Sequence, residues 1–510
     1  MVNHLITGQN QLGNTFKLWH IPSCYLCAML RILVLFHLFP VVALGQEILW
    51  STPQKITNST YYTNILGQNP DGVFYFQTSK NERDRHILVT ALRHDMKLRV
   101  RKEFLNGKDE YLEKIVLLNS KLTMLYTIRN RKDGISQLFA KSLDMDLNEM
   151  VDDKPILTTT GDAARLDLLS VYPGRERNSM LLVLAANNDS LHNNLTLIVL
   201  DENGQETHRH KLSIGLDLPF TLSRQVFVDN KFIAVLNFER KDGLLKKEPV
   251  KILVEKDLIT GQMRLHELWG PDFNTTYGLM NYDNQTNALQ FTAFYYAQDS
   301  TYPQGFYQYQ VYTEKDSAKQ RLLAFNPLFM NELFGKARST NDLRSLYLMK
   351  AIKRSDGGDI LICERKEIDE QHLDDISVYG VQHTYTRYYY YYYEISILSL
   401  SPDNSLEWHK MIKKEQISLN DDGYYSSFGC QVTRDRLYFV YNDLTRKSSN
   451  VMLYEVNPYG QGEGNIFLKS AELDGYAIPK ESIQVSDNEF LLPVVKLREG
   501  FSLVKIRQAK

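Results

Sequence analysis

No charge of either sign predominates in this 510-residue chain: Lys and Arg total 59, Asp and Glu 61, and the formal net charge is −2. Nothing electrostatic therefore points to nucleic acid or an anionic membrane surface as partner. Common catalytic signatures are missing as well. There is no G-x-S-x-G, no H-E-x-x-H, no phosphate-binding P-loop and no G-x-G-x-x-G. Helical periodicity is nearly absent, and only NPLFMNELFGKAR (326–338) predicts a short helix. Cysteine is scarce, with four residues in all. What the chain does have is aromatic residues, 31 Tyr and 23 Phe, and a 43% hydrophobic content ordinary for a globular protein. That composition leans towards strands.

One membrane-like run exists, MLRILVLFHLFPVVALGQE at 29–47. It has Arg31, an apolar stretch over 32–44, and Ala43, Leu44 and Gly45 ahead of Gln46. Small residues one and three places before a cut suit signal-peptide cleavage. The run is short for a bilayer span and contains His37 and Pro40. Residues 1–45 are read as leader and signal peptide, and 46–510 as one domain. The expected location is periplasmic or secreted, with no stable membrane span after leader removal. An uncleaved signal-anchor tethering the chain is the alternative. After the cut only Cys363 and Cys430 remain. Export permits a disulfide, but each sits in an apolar strand-like run (DILICER, SSFGCQVT), so two free thiols are expected. Sequons at Asn58, Asn188, Asn194, Asn274 and Asn284 suit surface loops.

A module of about fifty residues recurs along the chain. Its second strand is the clearest part: VFYFQT, LTMLYTI, MLLVLAA, FIAVLNF, ALQFTAFYY, DILICER, RLYFVYN and EFLLPVVK, beginning near 73, 122, 180, 232, 288, 359, 436 and 489. Third and fourth strands pair across polar turns, as in LTLIVLDENGQETHRHKLSI (195–214). Four-stranded meanders of this length predict an all-β fold, a β-propeller. Second and third strands are apolar throughout rather than alternating, as expected where neighbouring sheets cover both faces. Eight four-stranded blades are expected, with seven as the alternative. The last repeat lacks a fourth strand, and EILWSTPQKIT (47–57) is predicted to pair beside 501–507 and close the ring. Six consecutive tyrosines, 388–393, are predicted to open the third strand of the sixth repeat, with alternate rings buried against the two neighbouring blades.

In a propeller, the connections between repeats share a face with the loops between second and third strands. Here those connections carry Asp109, Asp162, Asp217, Asp272, Asp342, Asp421, Asp422 and Asp474. They form either a carboxylate ring for a cation or sugar hydroxyls, or a set of Asx-turns. Two long connectors flank the sixth repeat, 326–342 and 364–387. The second carries Glu364, Glu367, Asp369, His372, Asp374, Asp375 and His383 without metal-ligand spacing, and is either a solvated acidic loop or a site. The candidate ligand-binding residues are Asp162, Arg165, Arg224, Arg344, Asp421, Asp422, Tyr424 and Tyr425. Arg offers a donor fork for carboxylate or sulfate, and Tyr a ring and hydroxyl for sugar. No catalytic residue, cofactor or metal is assigned.

DLITG (257–261) resembles the Asp-x-x-Thr-Gly of quinoprotein-dehydrogenase propellers, but it occurs once and reads as a hairpin turn. The block ISLNDDGYYSSFGCQVTRDRLYFVYNDLTRK (417–447), together with the leader and the repeat pattern, resembles uncharacterised exported propeller-like proteins of Bacteroidetes, most clearly over 417–507. That resemblance implies export and carries no activity. The expected function is an exported, non-catalytic propeller binding a protein or glycan at the cell envelope. A carbohydrate-active hydrolase or lyase using carboxylates on the loop-rich face is the alternative.

Overall fold

The computed structural model describes residues 46–508, apart from 56–60, 80–85, 106, 108, 131, 151–153, 161–166, 186–194, 214–219, 229, 243–245, 269–272, 277, 284–285, 298–299, 313–316, 326–329, 331–339, 377–381, 444–448 and 498. The leader, most of the proposed helix at 326–338, and the sequons at Asn58, Asn188, Asn194 and Asn284 lie outside these residues. Asn274 lies in the short strand Phe273–Thr275. No described helix is long and apolar enough to cross a membrane.

The described chain folds as eight separate antiparallel sheets of four or five strands, numbered one to eight here from Tyr61–Asn69 onwards. Seven of them are sequential meanders. The eighth is completed from the far end of the chain: Glu47–Trp50 pairs with Gly500–Arg507, from Glu47 opposite Arg507 to Trp50 opposite Val504. Gln54 bridges to Phe501 beyond it. The predicted pairing is present, and it covers the outer edge of Gly500–Arg507.

The apolar strands are explained by where consecutive residues go. Side chains along a strand alternate between faces, and each face here meets a different sheet. Phe439 packs with Ile362 and Ile397 of sheet six. The next residue, Val440, packs with Leu492 and Val504 of sheet eight. Leu491 then joins Val73 and Tyr75 of sheet one, while Phe74 faces Ile115 and Met124 of sheet two. Eight such clusters follow the chain, the last joining sheet eight to sheet one. This is the circular packing of a β-propeller. Each fully buried Leu, Ile or Phe contributes about 1.5–3 kcal/mol.

The first strands carry a repeated irregularity. A β-bulge falls at corresponding places in sheets one, two, three, four and six, skipping Leu66, Glu113, Leu169, Ser223 and Met349. A bulge bends its strand and re-aims the next side chain. The re-aimed residue bridges sheets in two cases: Arg224 Nε donates to Gly278 O at 2.7 Å, and Lys350 Nζ to Cys430 O at 3.3 Å. Asp257 of DLITG accepts from the Ile259 and Thr260 amides, so this motif is a hairpin turn. Cys363 and Cys430 are free thiols.

Two expectations are corrected at sheet six. Residues 364–376 and 382–387 are not a loop but part of a β-ribbon: the middle strands Asp359–Ile376 and Gln382–Leu400 run 18 and 19 residues, and 377–381 lie outside the described residues. Among the described residues no strand in another sheet exceeds 12 residues. The six tyrosines consequently sit at the foot of this ribbon and not between two blades. Only Tyr390 is buried, and Tyr388 is 37% exposed.

Candidate functional site

The ribbon builds the most asymmetric feature of the loop-rich face. Pairing between the two long strands is regular up to Glu364 opposite Ile395, slips at Arg365, and resumes from Lys366 opposite Tyr392 to Ile376 opposite Gln382. At a rise of about 3.3 Å per residue, 366–376 extends about 33 Å. The first strand of the sheet, Leu346–Lys353, ends its pairing at Leu346 opposite Arg365. On the other side, Gln416–Leu419 pairs with 389–392 and widens the foot to three strands. We call the projecting part the arm.

Directly opposed residues share a face. On one face of the arm, Tyr390 donates its hydroxyl to Asp422 at 2.8 Å, and Tyr388 donates to Glu370 at 3.3 Å. Burial, with the Asp422 carboxylate beside it, pushes the Tyr390 phenol up to about 12. Tyr392 lies against Gly423, where a Cβ would come within 2.5 Å of its ring. On the other face, Tyr389, Tyr391 and Tyr393 stack with centroids 6.5 and 6.1 Å apart. The Arg365 guanidinium lies 3.6 Å from the Tyr393 ring centre and pairs with Glu394 at 3.1 Å and Glu367 at 3.2 Å.

Beneath the arm lies a buried polar network. Lys414 and Glu364 form an ion pair at 2.8 Å with both side chains wholly out of solvent. Ser427 Oγ donates to Glu364 at 2.6 Å, and Lys414 Nζ to Gln416 Oε1 at 3.0 Å. Gln416 donates to Asn442 O at 2.7 Å, and Asn442 donates to Tyr425 O and Ala477 O. Burial pulls the Lys414 ammonium below its usual range, opposed by Glu364. The network ties the arm's root to sheets seven and eight through hydrogen bonds that a core of this depth requires.

A groove of about 710 Å³ opens where the first strand stops. Its lining includes Arg344, Ser345 and Tyr347 from the segment entering the sheet, and Tyr391 and Tyr393 from the tyrosine run. Four consecutive residues, Lys366, Glu367, Ile368 and Asp369, also line it. Arg344 donates to Thr301 Oγ1 at 2.6 Å, and Ser345 Oγ to Glu367 at 3.0 Å. Lys366 Nζ sits 4.2 Å over the Tyr347 ring. The set offers cations, carboxylates and phenols at once, which suits recognition of a polar ligand. Among the described residues no group of three His, Cys, Asp or Glu could hold a metal ion.

The predicted binding residues fall in several places. Asp162 and Arg165 lie outside the described residues. Arg224 contacts Gly278 O in the neighbouring sheet. Arg344 lines the groove. Asp421 accepts from the Gly423 amide at 2.9 Å in an Asx-turn, while Asp422 holds Tyr390. Tyr424 is buried, its ring edge-on to Tyr62 at 5.8 Å and to Tyr425 at 5.2 Å, and burial pushes its phenol up. The arm therefore stands between Arg344 and the 421–425 group. Tyr347, Lys366, Tyr391 and Tyr393 were missed. The signal available was the Thr- and Tyr-rich composition of 382–393, which favours a strand; 366–376 carries no apolar alternation.

No family model and no curated protein sequence matches this chain. Solved structures do align with it. The WD40 domain of SCAP from fission yeast is 7% identical over 91% of this chain and 98% of its own, with a TM-score of 0.34. The β-propeller domain of the trilobed protease from Pyrococcus furiosus is 10% identical over 89% and 97%, with a TM-score of 0.32. The polysaccharide lyase Uly1 is 8% identical over 91% and 99%, with a TM-score of 0.38. Activity does not follow from likenesses at these levels.

Proposed function

We propose that this chain is an exported, non-catalytic propeller that binds a macromolecular ligand, protein or glycan, on its loop-rich face. One observation carries the reading: a single sheet sends its two middle strands far beyond the ring, and a groove lined by Arg344, Tyr391 and Tyr393 opens at their foot. A long ordered projection on a rigid scaffold is where recognition concentrates. The half-exposed tyrosines supply large, rigid contact area with hydroxyls to orient a partner. The cell-envelope assignment rests on the apolar run at 32–44 and the small residues before Gln46.

The test is an arm-deleted protein in which 366–392 is replaced by a two-residue Asn-Gly turn. Glycan and peptide arrays probed with the intact protein should give binders that the arm-deleted protein loses while it stays folded by circular dichroism, with a lower melting temperature because Gln416–Leu419 loses its pairing with 389–392. Binders retained in full by the arm-deleted protein would move the site off the arm.

A further inference from the structure

The position of the groove relative to the arm says more about its occupant. Consecutive residues of a strand point to opposite faces, yet Lys366, Glu367, Ile368 and Asp369 all line the same groove. A cavity on one face of a ribbon touches alternate residues. One that touches four in a row straddles the ribbon's edge. That edge is open among the described residues, because Leu346 opposite Arg365 is the last pair the first strand makes. The chain reaches that strand through a 3-10 turn, Thr340–Ser345, which meets the arm at its root, where Ser345 Oγ donates to Glu367 at 3.0 Å. The groove thus occupies the place where a further strand would lie. Alternate residues of 366–369 aim their backbone N–H and C=O groups into it, and the same edge continues to 376.

We propose that this edge receives an extended segment of a partner protein by strand addition, and that the segment is basic. This rests on the binding reading above and names the partner class. In sequence the edge strand carries Glu367, Asp369, Glu370, Asp374 and Asp375 against one lysine, Lys366. Glu367 and Glu370 are 44% and 48% exposed. The same charges oppose edge-to-edge pairing with a second copy of this chain, since two acidic strands would be juxtaposed. Ile368, 66% exposed, and Tyr347, 45% exposed, offer apolar contacts between the charges. An incoming strand with basic residues and interspersed aliphatic ones satisfies both. Backbone pairing supplies affinity, and the carboxylates choose the partner and speed its approach.

The probe is a capped eight-residue peptide alternating lysine with valine, titrated against the full-length mature protein by fluorescence anisotropy. Its counterpart alternating glutamate with valine is the control. The lysine peptide should bind at least tenfold tighter, weaken as salt rises, and slow amide hydrogen exchange over 366–372. Methylating alternate backbone nitrogens on its pairing edge should abolish binding. The double variant Asp369→Lys, Glu370→Lys, checked for an unchanged melting temperature, should reverse the preference towards the glutamate peptide. Equal binding of both peptides, or unchanged binding after N-methylation, would overturn strand addition. If neither peptide binds but an oligosaccharide does, and Tyr391→Ala weakens it, this inference fails while the binding reading stands. If nothing on the arrays needs the arm, the binding reading fails as well.

Discussion

Glu364 and Lys414 meet at 2.8 Å with neither side chain reaching solvent, at the point where the arm leaves its sheet. A buried ion pair of this kind does little for net stability, but losing one partner strands the other charge at a cost of about 3–5 kcal/mol. Glu364→Ala or Lys414→Ala should therefore lower the urea midpoint steeply. The double replacement Glu364→Leu, Lys414→Met should recover most of the loss. Single variants with unchanged midpoints would show that the pair does not anchor the arm.

A second charged cluster holds the seam where the ring closes. Glu489 accepts from Arg507 at 2.8 Å and from Gln68 of sheet one at 2.9 Å. Arg507 also pairs with Glu47 of the N-terminal strand. Lys505, wholly buried, donates to Gln68 at 2.9 Å and to His94 O at 3.2 Å. Burial pushes the Glu489 carboxyl up, but its hydrogen bonds with Gln68 and Arg507 and the nearby cations outweigh this and hold it below its usual range. A depressed folded value means that its stabilising contribution is complete above the unfolded pKa, about 4.3, and is lost as the pH falls through the folded one. Glu489→Gln should lower the melting temperature at pH 7. The gap from wild type should narrow as the pH falls below the unfolded value and close below the lowered folded one. A gap independent of pH would assign the effect to packing.

Removing residues 46–55 tests the closure itself. The truncated protein would expose the edge of Gly500–Arg507 that Glu47–Trp50 covers. Such an edge invites pairing with other chains. A lower melting temperature and a concentration-dependent rise in size by light scattering are expected. A truncated protein as stable and monomeric as the parent would mean that the seam holds without its N-terminal strand.

Gly423 is held at φ 62°, and a Cβ there would lie 2.5 Å from the Tyr392 ring. The left-handed conformation alone costs a non-glycine residue about 1–2 kcal/mol, and the clash adds to it. Gly423→Ala should destabilise the protein and increase hydrogen exchange over 388–393 more than in distant sheets. Uniform loss of protection would indicate a global effect instead.

Repetition made the ring legible in sequence. Strands such as MLLVLAA and the LYFVY of 437–441 are apolar at every position because each face meets another sheet, and a feature repeated eight times needs no single segment to be decisive. Closure was legible for the same reason, since Gly500–Arg507 lacked a successor. The arm was not. Its tyrosines, read against that repeated pattern, looked like one more doubly covered strand. What separates them is the length of the partner strand, and the charges of KEIDEQHLDD disguised that strand as a loop. The alternation of a two-stranded ribbon with both faces wet has no apolar face to reveal it. Arg344 was found because its connector is long. Tyr391 and Tyr393 were assigned to the core by their place in the repeat.

Arg344 and Tyr424 make the last prediction, because the structure separates two residues that looked alike in sequence. The Arg344 side chain is exposed and donates a hydrogen bond to Thr301. Arg344→Ala should change stability by less than about 0.5 kcal/mol and weaken any ligand of the groove. Tyr424 is 5% exposed, packs on Tyr62 and Tyr425, and accepts a hydrogen bond from the Thr63 amide at 3.4 Å. Thr63 belongs to sheet one, so this ring, on the connector between sheets six and seven, reaches across to sheet one. Tyr424→Ala should cost about 3–5 kcal/mol, as deletion of a buried aromatic does. Tyr424→Phe, which keeps the ring and loses one hydrogen bond, should cost about 1 kcal/mol. Chemical denaturation of the three variants separates the roles. A stable Tyr424→Ala protein with impaired ligand binding would return Tyr424 to the site; a large loss for Arg344→Ala would remove Arg344 from it.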